Sequence, residues 1–257
     1  MLPPVATKLL GAVLLLFSLL AYAEPQPAAT VVALVGTVSA QQPGGKVRVL
    51  CQGAGLSAEE TVTTQKNSYV RLRFTDGGQI TLRPQTSLRL DSYHFNEAKP
   101  AQDNLVFSLL KGGMRAISGL IGHRGNPNAY QAKAGVATIG IRGTHYGMLL
   151  CQDNCQALLD TAADTGNDAK NDKKRHEASL GNGLYVEVSY GEIVVSNDAG
   201  ARDYRVGQYG YVGNVQETPT LLSQDPGLSR ALPSDMDNSP GLSNLPGIRA
   251  GAACVAN

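Results

Sequence analysis

The chain has 257 residues, with 22 basic and 21 acidic side chains and no tryptophan. That balance excludes a protein that grips nucleic acid through a basic footprint, which needs a clustered excess of Lys and Arg. Twenty-nine glycines among recurrent Val, Thr and Ile suit short strands and tight turns rather than helices.

Residues 1–23 read as an export leader. Lys8 is the positive n-region, Leu9 to Leu20 the apolar stretch, and Ala21-Tyr22-Ala23 the small-x-small cleavage site. An uncleaved anchor is the alternative, but a membrane span needs about 18–20 apolar residues. No second run of spanning length follows, and no cysteine stands after the cleavage site to carry a lipid. The mature chain is expected to begin at Glu24, in the periplasm or secreted.

Strand signals start at Thr30 and run to Ala40 across Gly36. A turn at Pro43-Gly44-Gly45 leads to a short strand at Lys46 to Cys51. Ala58 to Thr64 reads as an extended connection. The clearest hairpin follows: Val70, Leu72 and Phe74 alternate with polar residues, Asp76-Gly77-Gly78 turns, and Ile80 and Leu82 resume the alternation. One face of that ribbon should pack on a core. Leu88 and Leu90 extend the pattern, and Tyr93 to Asn104 reads as a loop.

Leu105 to Leu110 fits either a buried strand or a helical turn. Lys111-Gly112-Gly113 then predicts a turn before a strand ending at Ile117. After a loop at Ser118 to Asn128, Tyr130 to Leu150 carries the run ATIGIRGTHY (137–146), a strand expected to kink at Gly140 and Gly143. Thr161 to Asn182 mixes both charge signs and reads as a solvated loop or a short exposed helix. A hairpin turning at Gly191 joins Leu184–Tyr190 to Ile193–Ser196, and Tyr204 to Val212 is the last predicted strand. Residues 216–257 are punctuated by prolines and expected to be a disordered tail. The glycine-then-strand contexts at Gly36-Thr37-Val38 and Gly191-Glu192-Ile193 hint at two related β-units, as stacked solenoid coils or as facing sheets.

Four cysteines are an even count for an exported protein and allow three pairings. Cys151 and Cys155 flank Gln152-Asp153-Asn154, good turn material, and are the favoured bridge. Cys51 with Cys254 is the remaining pair, and would staple the tail to the body; the alternative leaves both free.

In order and spacing these segments resemble the periplasmic domain of the FecR family. The resemblance rests on LVGTVSA (34–40), Thr64, YVRLRFTDGGQITLRPQTSLRL (69–90), KGGMRA (111–116), AGVATIGIRGTHY (134–146), VEVSYGEIVVSN (186–197) and YRVGQYGYVG (204–213). It covers about 180 residues. It implies an all-β domain, residues 24–215, outside the cytoplasm, built as a short-stranded β-solenoid or roll or a sandwich-like fold. In the best-known members this domain relays a signal from an outer-membrane receptor and is joined to a transmembrane helix and a cytoplasmic anti-sigma segment. This sequence shows neither segment, so the resemblance implies a standalone form.

No catalytic set emerges. His94, His123, His145 and His176 are scattered, with no second His or Cys at metal-ligand spacing. There is no nucleophile elbow, phosphate loop or dinucleotide fingerprint. No enzyme, metal or cofactor is expected. Arg71, Arg73, Arg83 and Arg89 fall on the polar phase of neighbouring strands. They could form one basic stripe for an acidic protein face or an anionic envelope glycan; a solvated face opposing aggregation is the simpler reading. Arg142, between Ile141 and Gly143, is read as a hydrogen-bonding residue of the bend, with a ligand contact as the alternative. The expected function is a non-enzymatic interaction or sensing module in envelope signalling. The rivals are an adhesive envelope scaffold and a β-rich extracytoplasmic hydrolase.

Overall fold

The computed structural model describes residues 26–124, 126–153, 155 and 180–229. The expected leader, most of the mixed-charge 161–182 segment, His176 and Cys254 lie outside the described residues. Among those described, fifteen strands run in chain order: β1 (Ala29–Val35), β2 (Val38–Gln41), β3 (Arg48–Val49), β4 (Gly55–Leu56), β5 (Thr61–Thr64), β6 (Tyr69–Phe74), β7 (Gln79–Leu82), β8 (Ser87–His94), β9 (Asn104–Ile117), β10 (Tyr130–Ala134), β11 (Ala137–Cys151), β12 (Gly183–Asn197), β13 (Gly200–Arg205), β14 (Tyr209–Val212) and β15 (Thr220–Leu222). No helix among them is long and apolar enough to cross a membrane.

Pairing sorts these strands into two facing sheets that share β9, β11 and β12. The first sheet runs β3-β2-β5-β8, then the first half of β9, β10, the first half of β11, the second half of β12, and β13. The second runs β4-β1-β6-β7, then the second half of β9, the second half of β11, the first half of β12, β14 and β15. Every pairing is antiparallel except β9 with β10. The sandwich-like alternative therefore describes the fold, with three long strands bent across both layers.

The bends sit where the chain places glycine. β9 crosses at Gly112 (φ 83°), β11 at Gly143 (φ 60°) and β12 at Gly191 (φ 78°), while Gly36 (φ 73°) takes β1 into β2. Positive φ is cheap only for glycine, and a strand that switches sheets must bend at such a point. Space forbids a side chain as well: a Cβ on Gly112 would lie 2.7 Å from Thr86 Cα, and one on Gly191 would strike the Gly143 carbonyl oxygen. The two crossings lie at opposite ends of the second sheet, since β9 enters it at Gly112 opposite Leu150 and β11 enters at His145 opposite Ile117.

This changes the reading of three glycine sites. Lys111-Gly112-Gly113 and Gly191 are bends inside continuous strands, not hairpin turns, because the ladder resumes on the far side of each. Gly140 lies in an unbroken ladder with Gln131 and Val194, so the kink of ATIGIRGTHY is at Gly143 alone. The predicted strand Tyr204–Val212 is two strands, turned at Gly207 (φ 78°). The expected tail is in part ordered: β15 pairs with β14, and Leu228 is 3% exposed.

Alternation drives the core. Leu72, Phe74, Ile80, Leu82, Met114 and Val186 point inward from the second sheet, and Val62, Leu88, Phe107, Ile139 and Val195 from the first, all in one cluster. Burying each such side chain contributes about 1.5–3 kcal/mol. Tyr146, the last residue of ATIGIRGTHY, is fully buried, and its hydroxyl pairs with that of Tyr130 at 3.0 Å. That bond satisfies two polar groups that burial would otherwise penalise.

Candidate functional site

The outer face of the second sheet gathers a set of charged and aromatic residues. Cross-strand registers arrange them in three rows. One row steps from Arg73 to Gln79, Ile117, His145 and Tyr190. The middle row runs Arg71, Thr81, Arg115, Gly147 and Glu187. In the last, Arg83 donates its backbone N–H to the Gly113 carbonyl, and Gly113, Leu149, Tyr185 and Tyr211 follow in register.

The first row is open to solvent. Ile117 is 40% and Tyr190 60% exposed, and the His145 and Tyr190 rings lie 5.4 Å apart. Partial burial, and then the charge of His123, push the His145 pKa below its ordinary 6.5. Arg73 is exposed, and Arg71 places its Nε 3.5 Å from Thr81 Oγ1. The row thus offers a cation, Arg73, at one end and aromatic surface at the other.

The other two rows are covered. Arg115 donates to Glu187 at 2.6 Å, with Glu187 almost wholly buried. Arg83 is buried and donates to the Leu228 carbonyl at 2.6 Å, and Arg115 reaches the same oxygen at 3.5 Å. Burial, and then the neighbouring Arg115 charge, push the Arg83 pKa down. Leu228 packs with Leu149, Tyr185 and the Cys151–Cys155 disulfide, whose α-carbons are 5.1 Å apart. Cys51 is disulfide-bonded too, while Cys254, its expected partner, lies outside the described residues.

The four-arginine stripe is not assembled. Arg71 and Arg73 share the outer face of β6, Arg83 is buried beneath residues 225–229, and Arg89 stands on the first sheet. There Arg89 pairs with Asp91 at 2.5 Å. The polar phase of a strand does not reveal that β7 and β8 belong to different layers. The structure also adds two residues that the sequence did not single out, Arg115 and Glu187. Their spacing of 72 residues leaves no local signal; only the register of β9, β11 and β12 joins them.

Arg142 is exposed, in register with Glu192, and lines two clefts of about 580 and 400 Å³ beside the part of β11 that precedes its bend. The bend is held by other residues. Thr144 donates its N–H to Ser118 Oγ at 2.9 Å and its hydroxyl to the Glu192 carbonyl at 2.8 Å. The expected structural role of Arg142 is thus taken by Ser118 and Thr144. Among the described residues, no three His, Cys, Asp or Glu side chains converge as metal ligands would.

A family model described as FecR protein matches residues 60–163. This stretch is a FecR domain. It runs from the start of β5 through β11, and so contains Arg71, Arg73, Arg83, Arg115 and His145 but not Glu187, Tyr190 or Leu228. The flanking segments that resemble the family, LVGTVSA and VEVSYGEIVVSN, lie outside the match yet supply β1, β2 and β12 to the same two sheets. No curated protein matches the chain. Two crystal structures of a candidate anti-sigma factor from Parabacteroides distasonis ATCC 8503, at 2.50 and 1.65 Å resolution, are similar to it at 12% identity and a TM-score of 0.43. Each comparison covers 64% of this chain and 60% of the solved one. At that distance the likeness carries no functional argument.

Proposed function

We propose that the protein is a non-enzymatic interaction and sensing module that acts outside the cytoplasm and binds a protein partner. The observation that carries this reading is the FecR domain at residues 60–163. The leader-like residues 1–23 and the disulfide between Cys151 and Cys155 support an oxidising compartment. The partner surface is the open row Arg73–Gln79–Ile117–His145–Tyr190. Its composition favours an acidic protein face over a glycan: an exposed Tyr and Ile supply contact area, and the exposed Arg73 supplies complementary charge.

In-cell photo-crosslinking tests this. A photoreactive residue at position 117 or 190 should give a discrete adduct with an envelope protein. The same residue at Lys133, on the first sheet, should not. Arg73→Glu should weaken the position-190 adduct. Equal labelling at 133 and 190, or no adduct at either row position, would overturn the assignment of this face. Recovery of only wall polymer would point to an adhesive scaffold.

A further inference from the structure

Arg142 carries a charge that the fold leaves unmatched. Among the described residues its guanidinium has no hydrogen bond or ion pair. Glu192, its cross-strand neighbour, pairs with Arg205 instead, at 3.4 Å. The larger cleft beside Arg142, about 580 Å³, has no Asp or Glu in its lining. That volume lies in the range of small-ligand sites, about 300–1,000 Å³.

The walls of this cleft are fixed by contacts within the chain. Arg124 donates to Asp103 at 3.2 Å and to the carbonyls of Glu97 and Asn96 at 3.1 and 3.2 Å, and its guanidinium lies 5.0 Å from the centre of the Phe95 ring. Asp103, which is buried, balances its charge. The His123 ring lies against Gly143, where a Cβ would sit 2.6 Å from Nδ1, and its Nε2 is 3.3 Å from Ser118 Oγ. Ile121, Tyr130 and Ile141 are buried and form the apolar floor, while the exposed Pro127 stands at the rim.

One unmatched guanidinium therefore faces a pre-shaped, partly apolar hollow. Its planar fork accepts a carboxylate through two parallel hydrogen bonds. A single excess charge suits a monoanion better than a phosphate dianion. The geometry points to a binding site for a carboxylate borne on an apolar group, the C-terminus of a peptide or a free organic acid. This inference does not rest on the open row of the second sheet.

The probe is N-acetylphenylalanine, titrated into the nitrogen-labelled full chain and followed by amide NMR shifts. It should give saturable shifts at Gly122, His123 and Gly143. N-acetylphenylalaninamide, which lacks the charge, should bind at least about tenfold more weakly. Arg142→Gln should abolish that preference and Arg142→Lys should keep part of it. Arg142 is exposed, so neither variant hangs on folding. Arg73→Glu should leave the titration unchanged, which separates failure here from failure of the open row. Phenylpropanoate distinguishes the two sources: binding equal to the probe's marks a free acid, and severalfold weaker binding marks a peptide terminus. No saturable shift, equal affinity for acid and amide, or a preference that survives Arg142→Gln would overturn the proposal. Tighter binding of phenyl phosphate than of the acid would overturn the assignment to a carboxylate.

Discussion

Asp76 shows how much a single residue carries at the tip of the β6–β7 hairpin. One carboxylate oxygen accepts from the Gly78 N–H at 3.0 Å, the other from the Ile121 N–H at 3.2 Å. Asp76 thereby fixes both the turn and the loop that leads from β9 to β10. Asp76→Ala strands two buried donors and should lower stability by about 2–4 kcal/mol in denaturant titrations. His145 gives a pH dependence. Its folded pKa lies below the ordinary 6.5, so the unfolded chain takes up the proton first. Its contribution is fully present above about pH 6.5 and is lost as pH falls from there through the folded pKa. Melting temperatures between pH 7.5 and 5 should therefore drop less for His145→Gln than for wild type.

At the level of elements, the three shared strands decide the architecture, and glycine decides where they bend. Gly112→Ala should cost more than about 2 kcal/mol, through its positive φ and the approach to Thr86 Cα. Gly140→Ala, with no atom within 4 Å of its Cβ position, should stay within about 0.5 kcal/mol of wild type. Thermal melts of the two variants make the comparison. The same contrast explains what could be read in advance. The period-two alternation of Val70 to Leu82 is local, and it located β6, the turn and β7. Gly112 and Gly191 look like hairpin glycines because a turn and a bend use the same left-handed backbone. Only the register after the glycine tells them apart, and register is set by distant strands. The arginines were misplaced for the same reason: which face a strand turns outward is local, but which sheet it joins is not.

On the scale of the whole molecule, the last described residues are part of the body. β15 extends the second sheet and Leu228 closes over Arg83, so the polar, proline-marked composition after Glu217 did not foretell where packing stops. Composition measures the apolar surface a segment brings. It does not reveal a single leucine meeting a prepared pocket.

The sharing of strands between layers has a practical consequence for dissecting the protein. A fragment cut to residues 60–163 would keep β5 through β11 and remove the partners on both sides. β6 would lose β1, β5 would lose β2, and β11 would lose β12 along nearly its whole length. Each loss bares a row of unpaired backbone groups beside apolar side chains, a template for association between copies. Expressed alone, that fragment should sediment as aggregates, whereas a span of 26–229 should run as a discrete species in size-exclusion chromatography. The segment by which the family is recognised is thus smaller than the unit that folds, and the excision points for any recombinant piece lie outside it.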